Sequence, residues 1–143
     1  MKLKIKLLDG GVRIPQYAHA DDAGLDLFSA EDGYINPGHR KVVKTGIAVQ
    51  IPAGKVGFVC SRSGLAAKNG VFVLNAPGVV DSGYTGEVCV ILMNDGKDLF
   101  EFHRGDRIAQ LVIVDCHHAE IEEVESFDGT TERGEGGFGS TGA

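Results

Sequence analysis

Three stretches of this chain set charged or hydroxyl side chains among glycines at spacings suited to holding an anion. The first, CSRSGLAAKNG (60–70), places Arg62 and Ser63 beside Gly64, where a β-branched run gives way to a short helical stretch. A guanidinium fork, a hydroxyl and the free N–H groups of a helix start all favour an anion. Gly64 lets a ligand come close to the backbone. The same residues also spell a plain capped turn, with Ser63 capping the helix and Arg62 on the surface. No Walker-type phosphate loop is present, because G-x-x-x-x-G-K-[ST] does not occur. The second stretch, APGVVDSGYTGEV (76–88), reads as a β-hairpin whose tip carries Asp81 and Tyr84. Asp81 either only initiates the turn under Tyr84, or the two form the rigid wall of a pocket. The third is the C-terminal ERGEGGFGSTGA (132–143). Six of the last fifteen residues are glycine, yet Arg133, Phe138, Ser140 and Thr141 are interspersed. The segment is either a frayed end or half of a binding site.

Two single residues join this set. In AGLDLFSA (23–30), Leu25 and Leu27 point one way and Asp26 the other, so Asp26 is an outward strand residue or a carboxylate for a metal-bound water. In HRGDRIAQLV (103–112), Gln110 is polar inside an apolar run and needs partners, from the core backbone or a ligand. The RGD triplet at 104–106 invites an adhesion reading that the absence of a signal peptide and of disulfides disfavours. His117-His118 has no metal-ligand spacing and reads as strand-edge surface.

The elements that must position these residues are short strands. Period-two alternation or β-branched runs occur at 2–8, 40–51, 56–60, 71–74, 87–94, 99–103 and 108–116, separated by turn signals such as NAPG, DSGYTG, NDGKD and HRGD. EVCVILM is apolar throughout, as for a strand covered on both faces. Only 63–70 looks helical, and Gly70 limits it to one or two turns. Eight or more short strands without a helix long enough for a βαβ unit predict an all-β jelly roll or distorted barrel of antiparallel strands. A core over 1–128 and a flexible glycine-rich arm over 129–143 follow from where the hydrophobic period stops.

Composition narrows the function. A net charge of −6 disfavours a general nucleic-acid or membrane-surface binder, but a few local arginines and backbone N–H groups still suffice for a small anion. Three cysteines (60, 89 and 116), far apart in apolar runs, read as buried free thiols of a reducing compartment. The start, MKLKIKLLDGG, reads as a strand and not a signal peptide. A cytoplasmic protein is expected.

AGLDL (23–27), SRSGLA (61–66), NAPGVVDSGYTG (75–86), GDRIAQL (105–111) and RGEGGFGSTG (133–142) occur together in this order. The set resembles the five motifs of the trimeric dUTP diphosphatases, and it covers nearly the whole chain. The resemblance implies a jelly-roll homotrimer with active sites shared between subunits. It implies Mg²⁺-assisted hydrolysis of dUTP to dUMP and pyrophosphate, which limits uracil in DNA and supplies dUMP for dTMP synthesis. Carried over by position, Asp81 is the general base for the attacking water, and Tyr84 stacks under the deoxyribose. Asn75, with hairpin backbone at Gly78, reads the uracil edge. Arg62, Ser63, Gly64 and Gln110 surround the phosphates, and Asp26 contacts Mg²⁺ through its water shell. Arg133, Ser140 and Thr141, with Gly139, grip the γ-phosphate while Phe138 covers the uracil. The departure Cys60-Ser61 before Arg62 is expected to touch loop geometry only. Alternatives on the same fold are a dCTP deaminase or bifunctional relative, or a nucleotide-sensing or protein-binding module without chemistry.

Overall fold

The computed structural model describes residues 1–129 and 131–137 of the chain. The expectations for Phe138, Gly139, Ser140 and Thr141 lie outside the described residues. Ten strands and one helix follow in order: β1 (Lys4–Leu7), β2 (Gly24–Phe28), β3 (Gly33–Ile35), β4 (Arg40–Gln50), β5 (Lys55–Cys60), α1 (Ser63–Asn69), β6 (Val71–Val73), β7 (Gly78–Val80), β8 (Glu87–Asn94), β9 (Phe100–Phe102) and β10 (Arg107–Asp115). They pair antiparallel into two four-stranded sheets, β1-β4-β8-β6 and β2-β10-β5-β7, with β3-β9 as a small third. The fold is the expected all-β jelly roll.

Alternation builds the core. Val43, Ile47 and Val49 of β4 and Val88, Val90 and Leu92 of β8 turn inward from one sheet. Leu25 and Leu27 of β2, Val59 of β5 and Ile108 and Leu111 of β10 meet them from the other. Ser29, Thr45 and Asn94 are the buried polar side chains among the described residues, and Asn94 is fully buried. Its amide donates to the Ile35 and Asp98 carbonyls and accepts from Gly96 N–H, so one side chain satisfies two backbone groups of the β8–β9 corner and one at the end of β3. Among the described residues, no helix is long and apolar enough to cross a membrane.

Four expectations change. The segment 76–88 is no hairpin: β7 pairs with β5 of one sheet and β8 with β4 and β6 of the other, so Asp81 and Tyr84 sit on a corner between sheets. Apolar arms around a turn signal look alike whether the arms pair with each other or diverge. Strand β8 is not covered on both faces. Val88, Val90, Leu92 and Asn94 are buried, whereas Glu87, Cys89, Ile91 and Met93 are half-buried in the single chain. The cysteines are free as expected, but all three are half-buried. Finally, Ser63 does not cap α1. Extended backbone runs on from β5 through Arg62, which takes the N-cap position without a side-chain cap bond. Ser63 is then the first helical residue.

The RGD arginine is a structural tie. Arg104 donates to the Asp9 carboxylate (2.9 Å), the Ala30 carbonyl (2.8 Å) and the Gly10 carbonyl (2.7 Å), which pins the loop after β1 to the turn before β10. A guanidinium so occupied is not presented for adhesion. The Arg104 hydrogen bond holds the Asp9 carboxyl below its ordinary value of 3.8. A lowered folded-state pKa contributes stability above the unfolded value and loses it as pH falls through the folded one. Asp9→Asn should therefore lower the melting temperature slightly at neutral pH. The gap to wild type should close as pH is taken down below 3.8, followed by thermal unfolding. A gap unchanged in acid would show that the tie does not act through this carboxylate.

Candidate active site

Strand β10 lies between β2 and β5, and its register places Gln110 directly opposite Asp26 on one side and Cys60 on the other. Leu25 and Leu27 face the core, so Gly24, Asp26 and Gln110 share the outer face. A cleft of about 570 Å³ opens there, with Asp26, Arg62, Ser63, Gly64, Arg107 and Gln110 on its walls and His19 and Asp22 of the preceding loop at its rim. Five residues singled out in three separate motifs thus converge.

The Asp26 side chain is only 13% exposed and lies between two guanidiniums. Arg62 Nε is 3.3 Å from Oδ1 and Arg107 Nε is 2.9 Å from Oδ2. Two guanidiniums thus flank one carboxylate on the wall, while Asp22 at the rim balances the second positive charge. Because pairing uses Nε, the terminal nitrogens are presented elsewhere; Arg62 Nη1 donates to the Arg107 carbonyl at 3.3 Å. Gln110 Nε2 donates to the Ser61 carbonyl at 2.9 Å, and Ser61 Oγ accepts from Val73 N–H at 2.9 Å. The Gln110 bond uses the Ser61 backbone, which any residue at 61 would supply; the serine itself contributes only its Oγ, which ties this loop to the end of β6. A Cβ on Gly64 would meet nothing within 4 Å of the chain, and its φ is not in the left-handed region. Among the described residues nothing demands glycine there, and the open space leaves room for a close approach from outside.

Arg107 was missed in the sequence. It stands three residues before Gln110, so period two would send it to the opposite face. The register slips between Arg107 and Ala109, where two β10 residues match one of β2, and this bulge returns Arg107 to the cleft face.

Asp81 and Tyr84 lie elsewhere, on a cleft of about 300 Å³ with Val42, Val79, Cys89 and Ile91. Tyr84 N–H donates to the Asp81 carbonyl at 3.1 Å, and the Tyr84 hydroxyl donates to the Glu87 carbonyl at 2.8 Å. The ring folds back over Gly86, where a Cβ would be 2.6 Å from the hydroxyl oxygen. Asn75 packs against Gly78, its Nδ2 3.2 Å from where a Cβ would stand. Because Val80 pairs with Gly57, the register carried one step puts Asp81 opposite Val56, four residues along β5 from the Cys60 that faces Gln110. That is ~13 Å along the strands, and crossing from β7 to β10 adds ~10 Å. One chain does not bring Asp81 to Gln110. Arg133 stands apart from both, its Nε donating to the Gly136 carbonyl at 3.0 Å.

Could the Asp26 cleft take a metal? Among the described residues no group of three His, Cys, Asp or Glu side chains could hold one directly. Each Asp26 oxygen keeps a lone pair beyond its arginine contact, enough to accept from a metal's water. The donor set fits a cation that arrives already coordinated by its ligand.

A family model described as dUTPase matches residues 11–142. The deoxyuridine 5'-triphosphate nucleotidohydrolase of Clostridium tetani is 51% identical over 140 residues, covering 98% of this chain and 96% of that protein. That of Rhodococcus erythropolis is 52% identical over 143 residues, covering 99% and 87%. Among solved structures, a Staphylococcus bacteriophage 80alpha dUTPase mutant with dUpNHpp superposes with a TM-score of 0.93 at 36% identity, covering 99% of both chains. A mutant dUTPase of S. aureus phage phi11, in which coordination of a structural Mg(II) ion is described, gives 0.84 at 31% identity over 90% of this chain and 99% of that one.

Proposed function

The chain belongs to the dUTPase family and hydrolyses dUTP to dUMP and pyrophosphate, and from that premise we propose how its residues divide the work. The observation that carries the division is the Asp26 cleft, where two oriented guanidiniums, Ser63, Gly64 and Gln110 line one space. This is the triphosphate end. Arg62, Ser63, Gly64 and Gln110 bind phosphate oxygens, and Arg107 adds a second cation beside them. Charge placed in advance where charge develops lowers the barrier without reorganisation at the moment of reaction. Asp26 would accept from the water shell of a Mg²⁺ carried by the triphosphate, an ion that would supply further charge neutralisation.

The Asp81 corner is the nucleoside end. Asp81 takes the proton of a water whose oxygen bonds to the α-phosphorus as the bond to pyrophosphate breaks. Tyr84, its ring held over Gly86, forms the floor for the deoxyribose and leaves no room for a 2′-hydroxyl. Asn75 with the backbone at Gly78 reads the uracil edge. Three free thiols and the want of a membrane-crossing helix among the described residues fit a cytoplasmic enzyme.

The two ends are too far apart in one chain to meet on one nucleotide, so we assign them to different subunits of a homotrimer. Val42 and Val79, 56% and 61% exposed, border the Asp81 corner, an apolar surface that a second copy would cover. Arg133 and the segment 129–143 close over the assembled site, with Phe138 on the uracil and Gly139, Ser140 and Thr141 on the γ-phosphate. Fifteen extended residues reach ~50 Å, enough to cross a subunit boundary. Ordering ten of them costs about 10–20 kcal/mol of backbone entropy, which contacts to bound nucleotide must offset.

One assay addresses the chemistry. In ¹⁸O-water with Mg²⁺, wild type should label dUMP and not pyrophosphate, and chelation should stop turnover. Asp81→Asn should bind a dUTP analogue with little change yet lose ~10²–10⁴ in kcat. Label in pyrophosphate, or an Asp81→Asn enzyme near wild-type rate, would sink the assignment. A second experiment addresses the division between chains. Asp81→Asn and Gln110→Ala, each nearly inactive alone, should regain a substantial fraction of activity when unfolded and refolded together. Mixed trimers then carry sites in which both residues are wild type. No recovery in mixed trimers would place both ends on one subunit. A third concerns the arm: truncation after Thr130 should leave the melting transition in place and remove most turnover, and full activity without the arm would refute closure.

A further inference from the structure

Gly24 has no part in the reading above, yet the space beside it is taken. A Cβ built there would lie 2.2 Å from Gln110 Oε1, 3.0 Å from its Cδ and 3.2 Å from its Cβ. The backbone at Gly24 asks for no glycine. It is a strand residue paired with Val112, and its φ is outside the left-handed region. The requirement comes from across the sheet. Gln110 faces Asp26 directly, and Gly24, two residues before Asp26 on the same face, is the diagonal neighbour over which a long side chain can lean.

The amide is then held from two sides. Nε2 donates to the Ser61 carbonyl at 2.9 Å. A carbonyl only accepts, so the NH₂ end must face Ser61, and Oε1 is the end laid against Gly24. One N–H of that NH₂ group has no protein partner among the described residues, and both Gln110 and Gly24 line the cleft of Arg62 and Gly64. We infer that Gly24 is a positioning residue for the reaction: by lacking a side chain it lets the Gln110 amide lie across β2, where its remaining N–H meets a phosphate oxygen. Gly24 itself touches no reacting atom. A methyl group at 24 would overlap Oε1 and lever the amide off both Ser61 and the phosphate. This rests on the reading of Gln110 as a phosphate ligand.

The test is a double-mutant cycle on the full-length enzyme, with dUTP hydrolysis and thermal unfolding measured for G24A, Q110A and G24A/Q110A. Displacing the amide by about 1 Å should lower kcat by ~10²-fold in G24A. KM should move less than about threefold, because the loss falls on the transition state more than on binding. Q110A should fall by a comparable factor, and the double variant should be no slower than Q110A, since Oε1 and Cδ are gone and the Cβ that remains at 3.2 Å needs to give by only a few tenths of an ångström. Losses that multiply in the double variant overturn the inference, as does a G24A kcat within about twofold of wild type. Should Q110A itself turn over at the wild-type rate, the failure belongs to the reading of Gln110, appears in that single variant, and takes this inference with it. Should G24A alone not fold, a folded G24A/Q110A with the rate of Q110A would support the clash, and an unfolded one would overturn it.

Discussion

The register of β10 between β2 and β5 is the constraint on which the site depends. Gln110 sits opposite Asp26 and Cys60 only in that register, while Ala109 and Leu111 on either side are fully buried. A slip of one residue would send Gln110 into the core and a leucine into the cleft, at the cost of both an unpaired amide and lost apolar burial. Packing of the core therefore enforces the placement of the polar row. The bulge at Arg107–Ala109 adds one adjustment, turning a second arginine onto the same face as the first.

Asp26 then acts as a common anchor. With each carboxylate oxygen engaged by a different Nε, two flexible side chains share one fixed point, and the terminal guanidinium nitrogens are aimed by geometry before any ligand arrives. Pre-orientation reduces the entropy lost when a polyphosphate binds. The role expected for Asp26, contact with a metal's water shell, does not compete with this, because the lone pairs left on each oxygen are the ones a water would use.

The same strand β5 that carries the proposed phosphate end at its C-terminus carries the proposed nucleoside end near its start, through its pairing with β7. A rigid strand cannot fold its two ends together, so the distance between Asp81 and Gln110 is built into the sheet. In the proposed division the substrate meets surfaces from more than one chain, and the exposed apolar residues beside Asp81 are where the second chain would sit.

Much of this was legible in the residues. Period-two runs located most strands, because a half-buried strand must alternate. The motifs named Asp26, Arg62, Ser63, Gly64 and Gln110 because charge and glycine beside a strand end are chemically conspicuous. By itself the sequence determined the fold class, the family and the residue types at the site. Only tertiary structure decided that the apolar arms around Asp81 belong to different sheets, since a local pattern carries no record of its pairing partner. It alone turned Arg107 to the cleft, because a bulge breaks the period that sequence reasoning relies on. And it alone explained Gly24, whose missing side chain is accounted for by a glutamine 86 positions later along the chain and in contact with it across the sheet.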